Sequence, residues 1–301
     1  MIHHLILSGQ GSPELNLSEG ILQSGERRIA LQVLGSVQCF SRGARWTQHS
    51  LCRLAQQCPV ILSCWSKQTR KWNTASLLPR CRYVNPACTY RLCNMPERRS
   101  KLYIAALLYA KVQNQHTLLR ALSPEIAPLP KLAANSCARI LQLEALWARN
   151  FWPRYFQGAS QDLFAREKRR ARAPINVALN YGYAFLYHAL EWQCIACGLE
   201  PGIGFVHHLR RNRPSLVCDL IEPFRCCVEI TLMRYLDEMH ETKLMAGRFA
   251  EMLESPWSYA GKRFRLRSII RLATESFARA VIHDLPATFR PFVLHARDAC
   301  L

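Results

Sequence analysis

Along the first ninety residues the apolar positions come in short runs. RIALQVLG (28–35) and PVILSCW (59–65) are rich in β-branched residues and are separated by the turn-prone stretches SRGAR and SKQTRKWN, a pattern of strands joined by short connections. The period changes at Lys101. From there Ile104, Leu107, Leu108, Val112, Gln115, Leu118, Leu119 and Leu122 recur every three or four positions, which lines them along one face of a helix. NMPERRS (94–100) is therefore the expected boundary. Residues 1–95 are expected to form a small antiparallel, sandwich-like β domain and residues 96–301 a larger all-α domain, an α+β chain.

SPEIAPLP (123–130) ends the first helix. A second is expected from about Lys131 until Pro153 stops it, since proline has no N–H to give and its ring crowds the preceding turn. A third opens at Pro174, a favoured first-turn residue, and ends at Gly198, a favoured C-terminal cap. A fourth runs from Ser215, as N-cap, to about Leu236. KRFRLRSIIRLATESFARAVIH (262–283) reads as one or two basic amphipathic helices. The chain has no internal repeat and no low-complexity tract.

A length of 301 residues, half of them apolar, suits two domains. Lysine and arginine total 40 against 21 acidic residues, for a net charge of +19, and the basic residues recur from Arg27 to Arg297. Such a field attracts polyanions. Nucleic acid is the first candidate, with a mitochondrial-type or membrane-surface protein as the rival. The start, MIHHLILSGQGSPELN, lacks the basic, apolar and small-residue parts of a secretory signal, so a cytoplasmic protein is expected. Ala173 to Leu190 carries no charged side chain. It does contain Pro174, Asn176, Asn180, Gly182 and His188, polar or helix-weakening residues that would need partners in lipid, so it reads as a buried soluble helix. The 14 cysteines are scattered and are expected to be thiols in a reducing compartment. Cys194 and Cys197 form a lone CxxC, and Cys81, Cys88 and Cys93 flank the junction. Without a second pair they read as core thiols, not zinc ligands.

The chemistry gathers in GFVHHLRRNRPSLVCDLIEPFR (204–225). Asp219 and Glu222 are three apart and so share a helix face, Arg225 lies one step further, and His207 sits just ahead of the helix. Imidazole with carboxylates suits Mn²⁺ or Mg²⁺, and no nearby thiolate pair points to structural zinc. A further ligand must come from elsewhere; Glu144, set among Leu141, Leu143, Leu146 and Trp147, is the candidate, because a buried carboxylate is costly unless paired or bound to metal. On pattern alone the pair is equally a solvated face with ordinary salt bridges, and a lone glutamate such as Glu144 is more often a satisfied surface or core residue. Arg154, Arg166, Lys168, Arg169, Arg170 and Arg172, interleaved with Trp152, Tyr155, Phe156 and Phe164, suit the DNA backbone. Lys262, Arg263, Arg265, Arg267 and Arg271 suit either DNA or a solvated face.

NVALNYGYAFLYHA followed by GLEPGIGFVHHLRRNRPSLVCDLIEPFR resembles the CRISPR-associated integrase family, the nuclease-like member of the two universal spacer-adaptation proteins. Asn176, Asn180, Tyr181, Gly182 and Tyr183 match its asparagine- and tyrosine-rich helix. Gly204, Phe205, Val206 and His207 match its Gly-Phe-aliphatic-His step, and Ser215, Leu216, Asp219, Leu220, Glu222 and Arg225 match the helix that follows. LQLEALWARNFWPRYF resembles the metal-binding glutamate segment, with Ala145 where glycine is most often found, and KVQNQHTLLR (111–120) resembles another recurrent segment. The N-terminal RRIALQVLGSVQCFSRG and PVILSCWSK resemble the family's β domain more loosely. The resemblance implies a metal triad of Glu144, His207 and Glu222, with Asp219 as a further ligand or a supporting partner and His208 turned away. Arg210, Arg211, Arg213 and Arg225 would hold phosphate oxygens. It implies Mg²⁺ or Mn²⁺ as cofactor, double-stranded DNA as substrate, and attack of a 3′ hydroxyl on a phosphodiester of a repeat array. Homodimers packed through the β domains, bridged by a small ferredoxin-like partner, complete the expectation. The rivals are a nuclease of branched or repair DNA, a catalytically silent DNA-binding scaffold, and a structural zinc protein.

Overall fold

The chain divides into two compact units, Met1–Tyr83 and Val84–Leu301. A computed structural model describes all residues except 1–2, 10–13, 19–20, 25–26, 31–33, 42–44, 58–59, 67–70, 78–83, 124, 127, 130–135, 162–164, 169–170, 208–212 and 300–301. The first unit contains strands β1 (His3–Gly9), β2 (Glu14–Ser18), β3 (Ile21–Ser24), β4 (Arg27–Ala30), β5 (Leu34–Ser41) and β6 (Arg45–Trp46), helix α1 (Gln48–Gln57), then β7 (Val60–Ser66) and β8 (Lys71–Leu77). They form two sheets, β1-β5-β7-β8 and β4-β3-β2-β6. Their pairing is mixed, not antiparallel as expected: β5 runs parallel to both β1 and β7. Parallel neighbours need a long crossover, and α1, which the strand-like pattern did not announce, lies in the connection from β5 to β7.

The second unit is mostly helical: α2 (Pro86–Cys93), α3 (Glu97–Leu122), α4 (Cys137–Gly158), α5 (Pro174–Ala196), α6 (Ser215–Leu220), a 3-10 turn (Glu222–Phe224), α7 (Arg225–Arg234), α8 (Thr242–Glu254), the hairpin β9 (Pro256–Tyr259) and β10 (Lys262–Arg265), and α9 (Leu266–Ile282). The division falls ahead of the 94–100 segment because α2 packs on α9, with the Cys88 thiol against the Ala278 carbonyl. Asn85 starts α2 by accepting from Ala87 N.

Two prolines act differently from expectation. Pro153 lies inside α4, which continues to Gly158. An interior proline costs about 3 kcal/mol, but Phe151, Tyr155 and Phe156 on either side are completely buried, and each such side chain is worth about 2 kcal/mol or more. Pro223 does break its helix. It has no N–H to donate to the Asp219 carbonyl one turn earlier, so the single helix expected over 215–236 becomes α6, a 3-10 turn and α7, and Ser215 is α6's first residue after the N-cap Pro214.

At the C-terminal end, Lys262–Arg265 forms a strand where a helix was expected. β10 pairs antiparallel with β9, setting Phe264 opposite Trp257. The two connecting residues, Ala260 and Gly261, have φ of 49° and 77°, the left-handed pair that a two-residue hairpin turn requires. Helix α5 crosses the centre of the unit against α7, α8 and α9. A side chain at Gly182 would strike Val228 and come within 2.7 Å of the Phe249 ring, so this glycine permits the close crossing. Among the described residues no helix is long and apolar enough to cross a membrane. Among the described cysteines none is in a disulfide; Cys88 and Cys194 are buried, Cys197 is half-buried, Cys93 is exposed, and Cys81 lies outside the described residues.

Candidate active site

Helices α3 and α4 pack along one another, and the seam is apolar: Ile104, Leu108 and Val112 meet Ile140, with Leu143, Trp147, Phe205 and Val206 packed against them. The polar residues of α3 border this seam. Lys111 Nζ lies 2.5 Å from Glu144 Oε1 on α4 and 2.7 Å from Glu222 Oε2 in the 3-10 turn. The first contact is a hydrogen bond. The second is an ion pair to a buried carboxylate oxygen. Asn114 Nδ2 donates to the Pro223 carbonyl at 2.7 Å and to the Phe292 carbonyl at 3.1 Å, while its Oδ1 accepts from Leu294 N. Gln115 accepts from Trp147 Nε1 and donates to Glu229 Oε1 at 3.1 Å. Sequence reasoning missed these three residues as parts of the site. Their signal was three polar side chains within five positions on a helix whose neighbouring positions are buried.

Glu222 Oε1 accepts from Arg225 Nε at 3.0 Å. The Arg225 guanidinium lies 4.7 Å from the centre of the Tyr183 ring, and the Tyr183 hydroxyl donates to Glu229 Oε1 at 2.8 Å. Burial pushes the Glu222 carboxyl up, but Arg225 and Lys111 outweigh it and hold its pKa at about 2. Burial pulls the Lys111 ammonium down and the two glutamates more than restore it, for a net rise. Glu229 has less compensation: burial raises its pKa despite the bonds from Tyr183 and Gln115.

His207 is placed from the other side. Asp219, fully buried on α6, accepts four hydrogen bonds: from Phe205 N at 2.7 Å and Val206 N at 3.0 Å on Oδ2, and from His207 N at 3.0 Å and His207 Nδ1 at 2.5 Å on Oδ1. A carboxylate can only accept, so Nδ1 carries the proton and Nε2 is the ring's remaining ligand atom. A side chain on Gly204 would lie 2.8 Å from Asp219 Oδ2 and 2.7 Å from the Ser215 carbonyl carbon, which explains glycine at this step. Asp219 and Glu222 do not act on one common face. The break at Pro223 sends Asp219 to the 205–207 segment and Glu222 to α3 and α4, so Asp219 positions His207 and has no oxygen left for an ion. His207 still reaches Glu222 electrostatically and lowers its pKa further. Glu144 and Glu222 meet at Lys111, and among the described residues no three His, Cys, Asp or Glu side chains close around one point.

The basic residues divide into two groups. Arg154, Lys168 and Arg172 are exposed. Arg166 is turned inward, donating to Asn176 Oδ1 and Asn180 Oδ1, both at 2.7 Å, beneath the faces of Trp152 and Tyr183. Arg213 is half-buried beside the Cys218 thiol. Arg169, Arg170, His208, Arg210 and Arg211 lie outside the described residues. The 262–271 patch is largely neutralised from within: Arg263 pairs with Asp298, Arg265 and Arg267 with Glu254, and Arg271 with Glu275.

Solved structures share the fold. A casposase bound to integration product superposes with a TM-score of 0.75 at 19% identity, covering 94% of this chain and 91% of that one. A partial Cas6-RT-Cas1–Cas2 complex gives a TM-score of 0.65 at 16% identity, covering 97% and 99%. Among curated proteins, the CRISPR-associated endonuclease Cas1 1 of Saccharolobus solfataricus is 34% identical over 144 residues, 43% of this chain and 41% of the relative. The chain spans less than half the length of the curated relatives it matches. Residues 21–243 match the family described as CRISPR associated protein Cas1, and the chain belongs to that family.

Proposed function

We propose that the protein is a metal-dependent DNA integrase, which joins the 3′ hydroxyl of a short DNA fragment to a phosphodiester of a CRISPR repeat. The observation that carries this reading is the convergence of Glu144 and Glu222 on one point beside α3. The donors fit Mg²⁺ or Mn²⁺: two nearly buried carboxylates whose oxygens converge on the Lys111 ammonium, and an imidazole nitrogen left free by Asp219. Glu144, His207 and Glu222 would hold the ion, and Asp219 supports the histidine from behind. The bound ion supplies Lewis-acid stabilisation of charge on the phosphate oxygens. In the reaction the hydroxyl oxygen bonds to phosphorus as the bond to the repeat's own 3′ oxygen breaks. The attacking hydroxyl gives up its proton and the leaving oxygen takes one. Arg154, Lys168, Arg169, Arg170, Arg172, Arg210, Arg211 and Arg213 bind backbone phosphates, and Arg225 keeps Glu222 oriented.

The finer organisation follows the same reading. The N-terminal unit is a sandwich-like dimerisation domain, the homodimer works in the cytoplasm on double-stranded DNA, and a small ferredoxin-like partner bridges two dimers. A relative in fold bound to an integration product and another in complex with Cas2 support DNA and a protein partner. The endonuclease names of the curated relatives favour hydrolysis as a second outcome, with water in place of the hydroxyl. The test is a strand-transfer assay with a labelled duplex bearing free 3′ hydroxyls and a supercoiled plasmid carrying a repeat, in Mn²⁺, Mg²⁺ or EDTA. Metal-dependent label on the plasmid that is lost in His207→Ala supports the proposal. Nicking without joining favours the nuclease, and DNA binding with neither reaction, even with the small partner added, favours a scaffold.

A further inference from the structure

Lys111 has no part in the reaction proposed above, yet its ammonium is in contact with both glutamates. Nζ is 2.5 Å from Glu144 Oε1 and 2.7 Å from Glu222 Oε2, and the side chains of Lys111, Glu144 and Glu222 are 14, 16 and 7% exposed. The two carboxylate oxygens are therefore no further apart than the sum of those distances. A divalent ion held by Glu144 and Glu222 would draw on the same two carboxylates, and Nζ fills the space between them. The lysine is not incidental there, because without it the nearly buried Glu144 would face Glu222 with no cation between them, which is destabilising even with Arg225 on the far side of Glu222. Its unbranched four-carbon stem lets the ammonium swing while the α3 backbone stays packed. Arg225 remains bonded to Glu222 Oε1 and stacked on Tyr183, so Glu222 keeps its orientation when Nζ leaves.

We propose that Lys111 is an exchangeable counter-ion: it holds Glu144 and Glu222 together until a divalent cation enters the gap, is displaced, and then bonds a phosphate oxygen of the bound DNA. The inference rests on the metal-dependent reading of the same site.

Reductive methylation of Lys111, read by mass spectrometry, tests it in EDTA, in saturating Mn²⁺, and in Mn²⁺ with a short duplex. Calorimetric Mn²⁺ titrations of the wild type, Lys111→Met and Glu222→Ala accompany it. Exchange predicts that labelling rises at least fivefold with Mn²⁺ and falls back when DNA is added, and that Lys111→Met binds Mn²⁺ at least tenfold more tightly. Labelling that stays at its EDTA level in Mn²⁺ overturns the exchange, and labelling that DNA does not suppress overturns the phosphate contact. Simple charge repulsion would tighten binding in Lys111→Met without unmasking the wild-type lysine, so the label separates the two. If the wild type binds no Mn²⁺, or Glu222→Ala binds it equally well, the metal reading itself fails. Should Lys111→Met not fold, the wild-type labelling still decides.

Discussion

Asp219→Asn removes one charge and turns one carboxylate oxygen into an amino group. In the folded protein the four donors divide evenly, with Phe205 N and Val206 N on Oδ2 and His207 N and Nδ1 on Oδ1. Whichever way the amide turns, two donors lose their acceptor and face N–H groups instead. A hydrogen bond to a charged group contributes about 1.5–3 kcal/mol, so losing two is bounded at about 3–6 kcal/mol. The 205–207 segment is only half-buried, and its freed amides can turn to water, which puts the expected loss at the lower bound, about 3 kcal/mol. Urea unfolding followed by tryptophan fluorescence should show a lower midpoint at an unchanged slope, since the surface exposed on unfolding is the same. The imidazole also loses its tether, and Mn²⁺ affinity should fall by about 10- to 100-fold, as for other supporting partners of a metal-bound histidine. A stability change under about 1 kcal/mol, together with wild-type Mn²⁺ affinity, would refute the positioning role.

Three further outcomes are expected. The Glu222 carboxyl is held at about 2 against an ordinary 4.5, so its stabilisation, about 3 kcal/mol, is complete above pH 4.5 and is lost as pH falls through about 2; Glu222→Gln should flatten that acid limb in urea unfolding, and an unaltered limb contradicts the coupling. Gly204→Ala, which meets Asp219 and the Ser215 backbone, should lose about 2 kcal/mol or more, whereas Gly247→Ala, with nothing within 4 Å of its new carbon, should gain about 0.5–1 kcal/mol in α8; equal melting shifts would dismiss the crowding argument. Arg154→Ala should leave the melting temperature unchanged and reduce the salt slope of DNA binding by about 0.9, while Arg166→Ala, which removes the donor to Asn180 Oδ1 and leaves Asn176 Oδ1 only the Glu167 N–H, should cost about 2–4 kcal/mol. The reverse pattern would exchange their roles.

Much of the helical unit was legible because its signals are local. Pro174 opens α5, which ends just before Gly198 with its φ of 72°, and the three- and four-residue period of α3 marks its buried face. What escaped depends on distant partners. Pro153 could be read only as a helix stop, since the aromatic burial that overrides it is tertiary. Nothing local distinguished Pro223, which does break its helix, and that break undid the common face inferred for Asp219 and Glu222. Arg166 looked like its basic neighbours until Asn176 and Asn180 came within reach. The β10 strand was hidden by a run of arginines that also suits a helix, although K-R-F-R alternates as an edge strand should. Lys111, Asn114 and Gln115 lay in a segment whose resemblance was noticed, but polarity on a buried helix face does not name its partner.

The Asn114 clamp bears on how the site is made as the chain emerges. Every candidate acid, base and arginine of the site lies between Lys111 and Glu229, yet the asparagine that fixes the Pro223 carbonyl also needs the Phe292 carbonyl and the Leu294 amide, 178 and 180 residues away along the sequence. At a synthesis rate of roughly 5–20 residues per second, a growing chain therefore carries all of the site's candidate groups for several seconds before the segment that braces them exists. A protein cut short ahead of Phe292 would keep the full complement of candidate side chains without that brace, and the proposed DNA chemistry should be lost in such a fragment through geometry while its composition remained intact.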